Sequence, residues 1–198
     1  MAEAIDITAN PYKADFPLIA QNPGLSFLDS AATAQRPATV LDAQRRFYET
    51  MNANPLRGLY KLSVDATQAI EEARGKVAAF LGATDRDEVV FTRNASEALN
   101  IIAKTLGPQA LGEGDEVCIS IMEHHSNLIP WQQVCRATGA DLVYLRPNEE
   151  GRITPEEVAA KIGPRTKIVS VTHVSNVLGV ENPVRMIADA AHAQGATV

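Results

Sequence analysis

Short apolar runs alternate with longer amphipathic segments from residue 88 to the end of the chain. The apolar runs are EVVFT (88–92), EVCISI (116–121), DLVYL (141–145) and KIVSVTH (167–173). Amphipathic helices are predicted at 95–107, 126–139, 154–163 and 183–195. Alternation of strand and helix predicts an α/β fold, with a mostly parallel sheet flanked by helices. Ligands of such sheets bind beyond the carboxyl ends of the strands.

Two further helices are predicted ahead of this alternation, at 37–53 and 65–82. Asp65 is expected to cap the second of them at its start. Gly82 is expected to end it, because glycine readily adopts the left-handed conformation that closes a helix.

The chain is expected to be the first part of a longer protein. Its last residues, GATV (195–198), have the pattern of a strand that is just beginning. A parallel sheet that stops within a strand is unusual in a complete domain. The predicted organisation is an extended segment with several prolines at 1–34, followed by an incomplete α/β domain at 35–198.

Composition and charge narrow the classes of function. The 198 residues are 45% hydrophobic and 21% charged, which is enough for one ordinary globular core. A net charge of −6 argues against a nucleic-acid surface, and no apolar run is long enough to cross a bilayer. The first residues lack the features of a secretory signal, and two cysteines, Cys118 and Cys135, are too few for a disulfide framework. A cytoplasmic protein is therefore expected.

Polar residues follow three of the predicted strands. In FTRNASEALN (91–100), a strand passes directly into a helix. The N–H groups of Ala95 and Ser96, with the Ser96 hydroxyl, are candidates for binding a phosphate at the positive end of that helix. The same pattern fits simple capping, with Asn94 as the cap and Glu97 three residues later. The residues alone leave both interpretations open.

MEHHSNLIPW (122–131) presents two histidines, His124 and His125, just after a strand. Neighbouring side chains on extended backbone point to opposite sides, so one imidazole can face a ligand while the other faces the core or solvent. The spacing differs from the H-E-x-x-H zinc signature, and a catalytic metal normally requires three protein ligands. No metal site is therefore predicted. An imidazole that faces a ligand and a purely structural histidine remain as the two interpretations.

VTHVSNVLG (171–179) is the third polar segment. Asn176 is a candidate donor to a ligand oxygen, with an ordinary turn asparagine as the alternative, and Gly179 would allow a close turn. Neither the G-x-G-x-x-G nor the P-loop pattern occurs in the chain. A phosphate site, a flat imidazole and an amide at one sheet edge suit a small, planar, phosphorylated ligand. Pyridoxal phosphate has these features.

Four segments, in this order along the chain, resemble the SUF-type (group II) cysteine desulfurases of the class V aminotransferase group. The segments are FLDSAATAQRP (27–37), FTRNASEALN (91–100), MEHHSNLIPWQ (122–132) and THVSNVLGVENP (172–183). The resemblance covers nearly the whole chain. It implies the large domain of the type I pyridoxal-phosphate fold, truncated before completion, with pyridoxal 5'-phosphate as the cofactor.

The resemblance also implies roles at the cofactor. His124 matches the histidine that stacks on the pyridine ring, so it is expected to be the catalytic residue, as platform and proton carrier, while His125 is expected to be structural. Ala95 and Ser96 match the phosphate-binding positions. Asn176 matches the asparagine that hydrogen-bonds the 3-oxygen of the ring.

On the substrate side, Ala31, Ala32 and Arg57 resemble residues that line the substrate pocket. The family commonly has H-R-G-x-H around this arginine. Here Leu56 and Tyr60 occupy the histidine positions, so the chain departs from the family on this side.

The implied activity converts L-cysteine to L-alanine and an enzyme persulfide, whose sulfur passes to an acceptor protein for iron–sulfur cluster assembly. A homodimer is expected. The family's cofactor-anchoring lysine, ring-nitrogen aspartate and persulfide cysteine belong to segments after those matched here, so the 198-residue chain alone is expected to be inactive. The alternatives are a selenocysteine lyase or other class V enzyme, and a non-catalytic truncated chain that acts as an interaction partner.

Overall fold

The computed structural model describes residues 10–198, which form two compact units, one ending at Val90 and one beginning at Phe91. The first unit contains α1 (Pro17–Gln21), α2 (Ala38–Thr50) and α3 (Lys61–Leu81). The second unit contains α4 (Ala95–Ala110), β1 (Glu116–Ser120), α5 (His125–Thr138), β2 (Asp141–Leu145), α6 (Pro155–Lys161), β3 (Thr166–Ser170) and α7 (Val184–Ala193). None of the helices within the described residues has both the length and the apolarity that crossing a lipid bilayer requires.

Strand β1 is the centre of a three-stranded parallel sheet with the order β2-β1-β3. Cys118 of β1 aligns with Val143 of β2 on one side and with Val169 of β3 on the other. A parallel bridge between Ile168 and Thr197 adds the start of a further strand beside β3, as the GATV pattern predicts. The predicted α/β fold class is confirmed.

Helices cover both faces of this sheet. Side chains alternate along β1, so Val117 and Ile119 pack on one face with Trp131 of α5, and Cys118 packs on the other face with Ile187 of α7. All five side chains are at most 2% exposed. A strand buried on both faces accounts for the uninterrupted apolar run that predicted it.

The apolar run at 88–92 does not form a strand, so that prediction is wrong. A 3-10 helix occupies Arg86–Glu88, and the Val89 N–H donates to the Arg86 carbonyl at 3.0 Å. The Val89 carbonyl accepts a hydrogen bond from the Arg74 guanidinium of α3. Strand geometry requires a neighbouring strand to satisfy the backbone groups, and at Val89 a turn and an arginine satisfy them instead.

Helix α3 begins one turn earlier than predicted, at Lys61. Asp65 therefore does not cap the helix; its carboxylate pairs with Lys61 Nζ at 2.6 Å. Tertiary contact extends the helix, because Ser63 in the added turn is fully buried and donates to a carbonyl of the preceding loop. The predicted stop is confirmed, since Gly82 has a φ of 72°.

The segment ahead of α2 is not extended throughout. A 3-10 helix at Lys13–Asp15 and the five-residue α1 occupy part of it. Residues 1–9 of the predicted segment lie outside the described residues, and the domain boundary at residue 35 stays a prediction.

Two helix glycines allow a paired prediction about stability. A Cβ at Gly107 of α4 would lie 2.5 Å from Val134 Cγ1 of α5, and Val134 is a buried β-branched residue with little rotamer freedom. A Cβ at Gly75 of α3 would meet nothing within 4 Å. We expect Gly75→Ala to raise the free energy of unfolding by about 0.5–1 kcal/mol. We expect Gly107→Ala to lower the free energy of unfolding by about 1 kcal/mol or more, because the added methyl group overpacks the contact with Val134. Chemical denaturation measures both values, and equal stabilisation would contradict close packing of α4 on α5.

Candidate functional site

The start of α4 is capped by Asn94, as the capping interpretation predicts. Its side-chain oxygen accepts the Glu97 N–H at 2.9 Å. The Glu97 carboxylate accepts the Arg93 N–H at 2.7 Å and lies 3.0 Å from Arg93 Nη2. Hydrogen bonds from the Arg93 side chain and then its backbone hold the pKa of Glu97 below its ordinary value. The negative charge of Glu97 is therefore paired with the Arg93 guanidinium.

Two N–H groups at the start of α4 stay available after capping. In the described part of the chain, the N–H groups of Ala95 and Ser96 have no hydrogen-bond partner, and both residues are exposed. Capping and anion binding are compatible here, since one cap cannot satisfy all the free N–H groups of a helix start.

His124 is the cap residue of α5. Its Nδ1 accepts the Ser126 N–H at 3.2 Å and lies 2.8 Å from Ser126 Oγ. An Nδ1 that accepts a backbone N–H places the ring proton on Nε2. His125 is the first residue of α5, and the two exposed rings are 6.2 Å apart and tilted by 57°. Across residues 10–198, no three His, Cys, Asp or Glu side chains are grouped as metal ligands.

Asn176 lies on a hairpin at 173–182. Val174 and Glu181 form its antiparallel bridge, and Gly179 has a φ of 67°, as expected for a glycine turn. The Asn176 side chain is exposed at the tip. Since β1 and β3 are adjacent parallel strands, the loop that carries His124 and the hairpin that carries Asn176 leave the same edge of the sheet.

A polar network that sequence reasoning missed links these two loops. The Glu123 carboxylate accepts the Ser120 hydroxyl at 2.5 Å, the Asn127 Nδ2–H at 2.8 Å and the Thr172 N–H at 2.7 Å. Asn127 Oδ1 in turn accepts the Ser170 hydroxyl at 2.8 Å. The available signal was a hydroxyl at the end of each apolar run, Ser120 in β1 and Ser170 in β3, with an acid three residues after the first.

The three predicted substrate-side residues lie in the first unit. Ala31 and Ala32 occupy a turn, and both are exposed. Arg57 is exposed and follows Leu56, which has a left-handed φ of 66°. The Leu56 N–H donates to Thr67 Oγ1 of α3 at 2.8 Å, so α3 holds this loop in place. The second unit carries the four predicted cofactor-side residues, and two of them, His124 and Asn176, follow adjacent parallel strands of its sheet.

Both cysteines are buried. Burial raises the pKa of the Cys118 thiol to about 12, and burial also raises the pKa of Cys135. A thiol with a raised pKa stays protonated near neutral pH, and the thiolate is the nucleophile. Neither cysteine therefore has the character of a reactive nucleophile.

Comparison with known proteins places these features in a family. Residues 26–198 match the family described as aminotransferase class V. A probable cysteine desulfurase from Halalkalibacterium halodurans is 46% identical over 193 residues, which cover 96% of this chain and 48% of the relative. The apo structure of a cysteine desulfurase from Thermococcus onnurineus matches with a TM-score of 0.86 at 36% identity, over 94% of this chain and 45% of that chain. The Escherichia coli cysteine desulfurase CsdA matches with a TM-score of 0.82 at 35% identity, over 95% and 47%. The chain thus spans about half the length of the relatives it matches.

Substitution of His124 tests its role as a helix cap. We expect His124→Ala to lower the free energy of unfolding by about 1 kcal/mol through loss of the cap. His124→Asn should keep the free energy of unfolding near that of the unsubstituted protein, because asparagine is among the best capping residues. His125→Ala, the neighbouring control, removes no capping bond and should change stability by less than about 0.5 kcal/mol. Urea denaturation measures all three, and an asparagine variant as unstable as the alanine variant would argue against capping.

Thiol labelling tests the environment of the two cysteines. In the folded protein near pH 8, we expect Cys118 and Cys135 to resist a thiol reagent such as DTNB, because both are buried and their pKa values are raised. Both should react once urea unfolds the chain. Rapid labelling before unfolding would contradict this assignment.

Proposed function

The chain belongs to the class V aminotransferase family, and we propose that the protein containing it is a pyridoxal-phosphate-dependent cysteine desulfurase. In this proposal it converts L-cysteine to L-alanine and moves the sulfur onto an enzyme thiol. The main support is a set of groups in the second unit: a capped, exposed imidazole, a helix start with free N–H groups and an exposed amide. They occur in a chain that is 46% identical to a probable cysteine desulfurase.

Members of the family depend on pyridoxal phosphate, and these groups fit that molecule. The molecule combines an anionic phosphate, a flat ring and a ring oxygen. The second unit offers a positive helix end, a flat imidazole and an amide donor. When bound, the cofactor supplies an electron sink for reactions at the α-carbon of an amino acid.

Ala95 and Ser96 would hold the phosphate through their backbone N–H groups, with the Ser96 hydroxyl as a third donor. The pairing of Glu97 with Arg93 supports this role, because it limits the repulsion that an unpaired carboxylate would exert on an anion. Asn176 would donate from its amide to the 3-oxygen of the ring. Its position at a hairpin tip leaves the amide exposed for that contact.

His124 would stack on the face of the ring and carry a proton near the substrate. The Ser126 N–H donates a hydrogen bond to Nδ1 and so restricts rotation of the imidazole. The proton on Nε2 remains available for transfer, because capping uses only the other nitrogen. A single side chain thus caps a helix through Nδ1 and presents a flat ring with an N–H at Nε2.

On the substrate side, Arg57 would pair with the carboxylate of the amino acid, and Ala31 and Ala32 would line the space around it. Leu56 beside Arg57 occupies a left-handed conformation that costs a non-glycine residue about 1–2 kcal/mol. Bonds from α3 to this loop offset that cost and restrict where Arg57 can lie.

The remaining catalytic groups would come from outside this sequence. Cys118 and Cys135 are buried thiols, so the persulfide-forming cysteine is assigned to the half of the relatives that this chain does not cover. The lysine that anchors the cofactor is assigned to the same half, as the family resemblance implies. The whole protein is proposed to be a cytoplasmic homodimer. It would pass sulfur to an acceptor protein for iron–sulfur cluster assembly.

Expression of the complete reading frame tests the proposal. We expect a yellow protein that loses its colour on borohydride reduction and forms alanine from L-cysteine. His124→Asn keeps the helix cap but removes the imidazole, so it should slow alanine formation by about 100-fold or more. His125→Ala is the matched control and should leave the rate near that of the unsubstituted protein. A colourless protein that takes up no added pyridoxal phosphate would refute the proposal, and equal effects of the two variants would refute the role of His124.

A further inference from the structure

Glu123 links the loop that carries His124 to the hairpin that carries Asn176. Building on the proposed function, we propose that Glu123 is a positioning residue, which holds the His124 imidazole and the Asn176 amide in one fixed arrangement for the cofactor. Its carboxylate acts through the backbone beside each of these residues rather than on the cofactor itself.

On the His124 side, the carboxylate spans the short loop between β1 and α5. Glu123 immediately precedes His124 in this loop. One oxygen accepts the hydroxyl of Ser120, the last residue of β1, at 2.5 Å. The other oxygen accepts Nδ2–H of Asn127, in the first turn of α5, at 2.8 Å. Both ends of the loop are therefore tied to the residue next to His124.

On the Asn176 side, the same carboxylate ties down the stem of the hairpin. Glu123 Oε1 accepts the Thr172 N–H at 2.7 Å, just before the hairpin begins. The Thr172 carbonyl accepts Nδ2–H of Asn182 at 2.8 Å, just where the hairpin ends. Asn182 is 2% exposed, so this second bond is shielded from water. Glu123 thus fixes both stems of the hairpin through Thr172.

Two of the groups around the carboxylate, the Asn127 Nδ2–H and the Thr172 N–H, can only donate to it. Asn127 Oδ1 accepts from Trp131 Nε1 at 3.1 Å and from the Ser170 hydroxyl at 2.8 Å, so the Asn127 amide must turn its N–H groups towards Glu123. The Ser120 hydroxyl and the Thr172 N–H are donors as well. A carboxylate satisfies all three donors. A carboxamide would direct its own N–H₂ group at one of them.

A similar link elsewhere in the second unit provides a matched control. The Glu157 carboxylate of α6 accepts the Arg146 N–H at 2.9 Å, just beyond β2. This bond also joins a carboxylate to the backbone at the end of a strand, but neither segment carries a proposed cofactor contact. A purely structural role for Glu123 predicts similar consequences for loss of either carboxylate. A positioning role predicts that only Glu123 affects the cofactor.

The test uses cofactor-free full-length protein and the variants Glu123→Ala, Glu123→Gln and Glu157→Ala. Absorbance titration gives the dissociation constant for pyridoxal phosphate, and amide hydrogen exchange of the cofactor-free form reports on the hairpin. We expect Glu123→Ala to weaken binding by about tenfold or more, which corresponds to loss of hydrogen bonds to a charged group. The dissociation constant of Glu123→Gln should lie between those of Glu123→Ala and the unsubstituted protein. The dissociation constant of Glu157→Ala should stay within about twofold of that of the unsubstituted protein. Exchange protection at Thr172 and 173–182 should decrease only in the Glu123 variants.

Unchanged affinity in both Glu123 variants would overturn the positioning role, as would an equal loss of affinity in Glu157→Ala. If Glu123→Ala fails to fold, Glu123→Gln decides, because it keeps the size of the side chain, removes the charge and replaces one acceptor with an N–H₂ donor. If the unsubstituted protein binds no pyridoxal phosphate, the proposed function fails first, and this inference fails with it. Normal binding by the unsubstituted protein with unaffected Glu123 variants refutes this inference alone.

Discussion

Parallel pairing of β1 with a neighbour on each side is the constraint on which the candidate site depends. Because β2, β1 and β3 run in one direction, the segments that follow them leave from one edge of the sheet. His124 follows β1 and Asn176 follows β3, so both emerge there. Residues far apart in the sequence therefore converge because of strand direction rather than through contacts with one another.

Helix capping and ligand binding use different atoms of the same segments. Asn94 satisfies the Glu97 N–H and leaves those of Ala95 and Ser96 free. His124 uses Nδ1 to cap α5 and keeps its second nitrogen for another partner. The structural and functional interpretations of these residues are compatible, because a cap satisfies only part of the polar capacity of a helix start.

The cost of burying polar groups at the ends of β1 and β3 explains why hydrogen bonds join the two loops that follow these strands. Ser120 is 1% exposed and Asn127 is 7% exposed, so an unsatisfied donor at either residue would be expensive. The Glu123 carboxylate satisfies both and also reaches the backbone after β3. Because these donors are buried, the hydrogen bonds that join the two loops also stabilise the core.

Periodicity and local capping alone specified much of the secondary structure in both units. The run around Val117 is apolar throughout because β1 is buried on both faces, and Gly82 and Asn94 act within a few residues of their partners, so their roles can be read locally. The run at 88–92 has apolar character too, but among the described residues Val89 bonds to a 3-10 turn and to Arg74 rather than to a neighbouring strand. The bond from Thr172 to Glu123 joins residues 49 apart in the sequence. It depends on β3 lying beside β1, and strand order is a property of the folded sheet that no local pattern contains.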